Sequence, residues 1–262
     1  MDIQITWEVK MTHHICIVTG AASGIGLAIS EIFVAQKYQV LMVDIQKDEL
    51  LLHSNRLGCS AFQADISKRE DCKLIIKTAV ELFGYVDILV NVAGLQHVSS
   101  IEKFDEDKWD YMLDVMLTAP FLLTKYVWPT MKGNGWGRII HLNSIHGLVA
   151  SEFKSAYISA KHGLSGLTKV SALEGAPYGI TVNSICPAYV KTPLVDKQIA
   201  DQALLHDIKE EEVITKIMLQ KSAIKKLIKT EDVASMVLYL CSDAAEMITG
   251  STITIDGGWT IA

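Results

Sequence analysis

Apolar positions along the chain follow two alternating patterns. Short, nearly unbroken apolar runs recur at 15–20 (ICIVTG), 39–45 (QVLMVDI), 60–66 (SAFQADI), 87–94 (DILVNVAG), 137–144 (GRIIHLNS), 180–187 (ITVNSICP) and 251–258 (STITIDGG). Runs of this length without strict apolar–polar alternation predict parallel strands covered on both faces. Between them lie longer stretches with apolar residues at helical spacing, such as GIGLAISEIFVAQKY and EDCKLIIKTAVELFG. Strand–helix repetition predicts an α/β fold: a doubly wound, Rossmann-type, seven-stranded parallel sheet with helices on both faces. No internal repeat, low-complexity tract or linker interrupts it, so residues 1–262 read as a single domain.

One segment breaks this rhythm. From Val190 to about Thr230 there is no strand candidate, and DIKEEEVITKIMLQKSAIKKLIK is rich in helix formers and charge. Leaving the sixth strand at the carboxyl edge, where α/β ligands bind, residues 190–230 are expected to form a substrate lid. An ordinary helical hairpin on the surface fits the same pattern.

Composition narrows the function classes. Of 262 residues, 50% are hydrophobic and 21% charged, which supplies a sizeable core and excludes disorder of the whole. A net charge of −6 gives no electrostatic reason to bind nucleic acid or an anionic membrane. The five cysteines (Cys16, Cys59, Cys72, Cys186, Cys241) are odd in number and lack CxxC spacing. They suggest neither a disulfide framework nor zinc, and read as reduced thiols of a cytoplasmic protein. The eight histidines form no ligand pattern; His13 and His14 read as solvated, and no metal is expected. The start MDIQITWEVK reads as neither signal peptide nor membrane span. With Met11 just ahead of the first strand, residues 1–10 read as a short extension or a start-site choice.

Candidate chemistry begins at TGAASGIG, Thr19 to Gly26, between the first strand and first helix. Gly20, Gly24 and Gly26 permit a tight turn and close backbone approach, while the helix N-terminus offers free N–H groups to a pyrophosphate. Asp44 ends the second strand 18 residues beyond Gly26, where a carboxylate would accept hydrogen bonds from a ribose diol and repel a 2′-phosphate. NAD is therefore favoured over NADP, although Asp44 could also cap a helix. Asp65, closing the third run, suits either an adenine amino group or a cap for the next helix, and both remain open. Tyr157 and Lys161 stand one helical turn apart on one face. Alone the pair proves nothing, but a nearby cation would lower a phenol toward the pKa a general base needs.

In this order TGxxxGIG, NVAG (91–94), Ser144, Tyr157-x-x-x-Lys161 and CPAYVKT (186–192) resemble the short-chain dehydrogenase/reductase family, from Ile15 to Gly258. The resemblance implies Ser144, Tyr157 and Lys161 as catalytic residues. It implies a cofactor site of Gly20, Ser23, Gly24, Ile25, Gly26, Asp44, Asp65, Ile66, Asn91, Tyr157, Lys161, Pro187, Val190 and Thr192. A closer likeness within the family is carried by GLQHV (94–98), HGLVASEFKSAY (146–157), TPLVDKQI (192–199) and DGGWT (256–260). It implies NAD-dependent oxidation of D-3-hydroxybutyrate to acetoacetate in a homotetramer. The substrate would lie among Gln96, Ser144, His146, Lys154, Tyr157 and Gln198, with Trp259 flanking the pocket.

For each polar residue of that set taken alone, a solvated or structural role is the favoured reading. Two positions depart from the family pattern: Val92 replaces an amide that supports the central strands, and Met116 replaces an Asn that anchors a water in the proton relay. A thioether cannot donate a hydrogen bond. Two other functions stay in view: an NADPH-dependent 3-oxoacyl reductase, which Asp44 opposes, and a non-catalytic NAD-binding sensor, which the intact Tyr157 and Lys161 oppose.

Overall fold

The computed structural model describes residues 14–262. The readings on residues 1–10, Met11 and His13 lie outside the described residues. Seven parallel strands form one sheet: β1 Ile15–Thr19, β2 Gln39–Asp44, β3 Ser60–Gln63, β4 Ile88–Asn91, β5 Gly137–Leu142, β6 Ile180–Pro187 and β7 Thr252–Ile255. Their order across the sheet is β3-β2-β1-β4-β5-β6-β7. The order reverses between β1 and β4, and ligands of doubly wound sheets bind at the carboxyl edge of such a switch point.

The near-continuous apolar strands have a direct physical reason. Successive side chains point to opposite faces. Ile15 and Ile17 of β1, Leu41 and Val43 of β2, Leu89 of β4 and Ile139 of β5 enter one core. Their neighbours Cys16, Val18, Val40, Met42, Ile88, Val90 and Ile140 enter the other. The first core is closed by α3 (Arg69–Phe83), α4 (Glu106–Leu113), α5 (Ala119–Asn134) and α6 (Ser155–Gly175). The second is closed by α1 (Gly24–Ala35), α2 (Lys47–Leu57) and α9 (Thr230–Leu240). In α3 the buried residues Cys72, Ile75, Ile76 and Ala79 make the expected apolar stripe, and Glu70 and Asp71 favour its N-terminus.

Three differences from the sequence reading bear on the site. β3 ends at Gln63, so Asp65 does not close it. There Asp65 Oδ1 accepts hydrogen bonds from the Ser67 amide (3.2 Å) and hydroxyl (2.7 Å), a local turn that competes with extending the strand. β5 ends at Leu142, and Ser144 instead caps the short helical turn Ile145–Gly147. His14 is not simply solvated: its ring stacks on Trp136 at 4.4 Å and its Nδ1 lies 3.5 Å from an Asp87 oxygen.

From Val190 to Thr230 no strand forms. The segment contains α7 (Pro193–His206) and α8 (Glu210–Val213), followed by a widened turn at Ile214–Met218. A small core of its own joins Val195, Ala203, Val213 and Met218. A second widened turn, Asp114–Thr118, links α4 to α5 and buries Val115 and Met116.

Candidate active site

The carboxyl ends of β1, β2, β4, β5 and β6 open into a cleft of about 400 Å³, in the range of small-molecule sites. At its floor the Thr19 hydroxyl accepts hydrogen bonds from the Val92 and Ala93 amides at 3.0 and 3.3 Å, joining β1 to the segment after β4. This closeness dictates small residues. Gly20 has φ +65, and a Cβ there would stand 2.8 Å from Ala93 Cα; one on Gly26 would meet the Gly20 carbonyl oxygen at 2.0 Å. The turn delivers α1 with its N-terminus facing the cleft, no acid in its first turn, and a Ser23 hydroxyl making no cap bond. Such an end is free to receive a phosphate.

Asp44, 8% exposed, lies at the opposite wall. Its carboxylate accepts hydrogen bonds from the Ala22 and Gln46 amides, both at 3.0 Å. It thus fixes the glycine-rich turn, and Gln46, not Asp44, is the N-cap residue of α2. Each carboxylate oxygen retains a further lone pair for a ribose hydroxyl. Asp65 and Ile66 line the same end of the cleft. On the far side stand Pro187, Val190 and Thr192, with Thr192 capping α7. These groups fit a dinucleotide: donors at a helix N-terminus for phosphates, and an acceptor for the ribose diol.

Ser144, Tyr157 and Lys161 share the middle of the cleft wall. Asn143 ties Ser144 to α6, because its side-chain oxygen accepts from the Ser144 amide at 2.9 Å while its Nδ2 donates to Ser165 Oγ at 2.9 Å. The Lys161 Nζ donates to the Leu142 carbonyl at 2.7 Å and lies 5.6 Å from the Tyr157 ring centroid. The electrostatics differ from the simple expectation of a phenol lowered by its lysine. Burial pushes the Tyr157 phenol above its ordinary value, and the Ser144 hydroxyl pulls it partly back. Burial likewise lowers Lys161 to about 8. Desolvation disfavours the charged form of each, the Tyr157 anion and the Lys161 cation.

The residues expected around the substrate divide into two groups. Gln96, His146, Lys154 and Gln198 line the cleft with Ser144 and Tyr157. His146 is held by Ser151 Oγ at 3.0 Å, and its Nδ1 lies 3.5 Å from Ser144 Oγ. Burial, then the charge of Lys154, lower it to about 3, so at neutral pH it is an uncharged imidazole. Gln198 Nε2 donates to the Leu194 carbonyl at 3.3 Å. Lys154 is 5% exposed, yet no carboxylate of the described residues pairs with it, and burial lowers it to about 8.

Two expected residues are not on the cleft wall. Trp259 stands one layer back, edge-to-face with His146 at 6.1 Å. Asn91 points into the first core face, where its Nδ2 meets His141 Nδ1 at 3.1 Å. β4 pairs with β5 in a register that sets the two opposite one another. Val92, in place of an amide, packs against the second core. Met116 is 1% exposed and its sulfur would stand 3.7 Å from a Cβ on Gly94, so it fills space beneath the NVAG segment. Sequence reasoning passed over Asn143 and Tyr189. Both lie inside or beside quoted motifs, and Tyr189 is in CPAYVKT itself.

Comparison with known proteins places this geometry. Residues 20–260 match the family model described as enoyl-(acyl carrier protein) reductase. The chain is 46% identical over 251 residues to a D-beta-hydroxybutyrate dehydrogenase of Rhizobium meliloti, covering 93% of this chain and 97% of that protein. It is 40% identical over 248 residues to a protein of the same description from Cupriavidus necator, covering 93% and 96%. Among solved structures, levodione reductase superposes with a TM-score of 0.90 at 26% identity, covering 96% of this chain and 99% of its own.

Proposed function

The chain belongs to the short-chain dehydrogenase/reductase family, and from that premise we propose that it catalyses the reversible NAD-dependent oxidation of D-3-hydroxybutyrate to acetoacetate. Family membership and the Rossmann-type fold imply a nicotinamide cofactor. The carboxylate of Asp44 supports NAD, because it can accept from a ribose hydroxyl while a 2′-phosphate beside it would meet like charge.

The observation that carries the substrate assignment is Lys154. A nearly buried ammonium without an anionic partner among the described residues is costly, and this one faces the same cleft as Ser144 and Tyr157. A short acid with its hydroxyl one carbon removed from the carboxymethyl group can place its carboxylate at Lys154 and its hydroxyl at Tyr157. Gln96, Gln198 and neutral His146 supply further polar contacts.

When bound, nicotinamide supplies the hydride acceptor. Tyr157, as its phenolate, takes the hydroxyl proton and becomes the neutral phenol, and Ser144 holds the substrate oxygen as it becomes a carbonyl. Lys161, held by the Leu142 carbonyl, would orient the ribose hydroxyls of the bound cofactor and bias the phenol toward its anion. Val190 and Thr192 would hold the carboxamide, and α7, whose first turns line the cleft, would cover the bound acid as a lid. The family resemblance implies a homotetramer, and the free cysteines suit a reducing, cytoplasmic compartment.

The test is NADH formation at pH 7, where Lys154 keeps its proton, with D- and L-3-hydroxybutyrate, lactate and malate in parallel, each with NAD and NADP. Turnover confined to D-3-hydroxybutyrate with NAD is expected. Equal efficiency with NADP, or a preference for lactate or malate, overturns the proposal.

A further inference from the structure

We propose that Tyr189 is a positioning residue that aims the Lys154 ammonium at the substrate carboxylate and ties that aim to the helices covering the cleft. The inference rests on the carboxylate reading of the cleft given above.

The Tyr189 ring centroid lies 5.8 Å from Lys154 Nζ, within reach of an ammonium–ring attraction. An ammonium largely shielded from water and without a carboxylate among the described residues gains most from such a face, because the ring's negative quadrupole is then weakly screened. Tyr189 is itself held firmly. Its carbonyl accepts from the Ile228 amide at 3.0 Å, and the Lys191 amide donates to the Ile228 carbonyl at 2.9 Å. One residue earlier, the Ala188 amide donates to the Ile255 carbonyl at 3.0 Å. The ring also packs on the small core of Val195, Ala203, Val213 and Met218 that joins α7 to the turn after α8. Tyr189 therefore links three things: the segment carrying Val190 and Thr192, the covering helices, and the cation expected to receive the substrate. Burial, with Tyr157 nearby, pushes its phenol up to about 12, so it stays neutral and leaves the ring face to act on Lys154.

A double-mutant cycle tests the link, with steady-state constants for D-3-hydroxybutyrate and NAD in Tyr189→Leu, Tyr189→Phe, Lys154→Ala and the Lys154→Ala/Tyr189→Leu double variant. Tyr189→Leu is expected to raise KM for the acid roughly 3- to 10-fold with KM for NAD unchanged, and Tyr189→Phe, which keeps the ring, to stay within about twofold of wild type. In the Lys154→Ala background the leucine should add nothing. A merely structural role would raise KM by the same factor in both backgrounds, and that result overturns the inference. So does Tyr189→Leu with wild-type KM while Lys154→Ala raises it. Unchanged KM in Lys154→Ala overturns the carboxylate reading itself, and this inference with it.

Discussion

Replacing Lys154 by methionine removes the ammonium and keeps an unbranched side chain of similar length, which separates the charge from the packing of its stem. The fold lowers this group from 10.5 to about 8 by desolvation. At about 1.4 kcal/mol per pH unit, the free protein carries an unfavourable contribution of about 3 kcal/mol at neutral pH. The sign follows from proton counting. Lowered in the folded state, Lys154 binds fewer protons there than in the unfolded chain between pH 8 and 10.5, so stability rises with pH across that window. The penalty is present in full below about 8 and gone above 10.5. Lys154→Met should therefore be more stable than wild type at pH 7, by about 2–3 kcal/mol before allowance for imperfect packing of the thioether. The gap should close as pH approaches 10.5. Urea denaturation of both proteins at pH 7 and pH 10, without ligand, measures it. The same variant should raise KM for D-3-hydroxybutyrate by roughly one to two orders of magnitude through loss of a charge-assisted hydrogen bond. A Lys154→Met protein less stable than wild type at pH 7, or a stability gap independent of pH, refutes the reasoning.

Other expectations are independent of Lys154. Tyr157→Phe keeps the ring and removes the titrating oxygen, so turnover should fall roughly 10²-fold or more while NAD binding, read by fluorescence titration, survives; near wild-type turnover would count against the mechanism. Asp44→Ala should relax the preference for NAD over NADP, and should also lower the melting temperature because the Ala22 and Gln46 amides lose their acceptor. Gly26→Ala places a Cβ 2.0 Å from the Gly20 carbonyl oxygen, so the turn must shift and NAD affinity should fall at least tenfold by calorimetry, a drop of about 1.4 kcal/mol. Met116→Asn puts an amide where a fully buried thioether packs, and its melting temperature should drop with NAD affinity unchanged. A rise in melting temperature would show that the site holds partners for the amide.

Much of the fold was legible because parallel strands buried on both faces are written as continuous apolar runs, and β6 coincides with its run from Ile180 to Pro187. The ends were less legible. Asp65 and Ser144 fall beyond β3 and β5 because local side-chain hydrogen bonds end the strands first, and apolar pattern does not record those bonds. The glycine spacing pointed to the turn at the switch point, since the close approach of Gly20 to Ala93 leaves no room for a side chain. Asn91 shows the opposite case. Its partner His141 lies 50 residues away on a neighbouring strand, and only strand order brings the two together. The electrostatic balance of Tyr157 and Lys161 was likewise hidden, because residue spacing reports their proximity and says nothing of desolvation. Tyr189 stood in a quoted motif, yet its relation to Lys154 depends on the path of the chain from β6 into α7.

The most direct test of the central claim compares D-3-hydroxybutyrate with its uncharged methyl ester as substrates of the wild-type protein with NAD, followed by NADH absorbance at pH 7, below the point where Lys154 loses its proton. The two differ only in the carboxylate that Lys154 is proposed to receive. The account predicts that kcat/KM for the acid exceeds that for the ester by roughly 10-fold or more, the range set by a charge-assisted hydrogen bond in a desolvated site. Equal use of acid and ester, or no NADH formed from the acid, would contradict it.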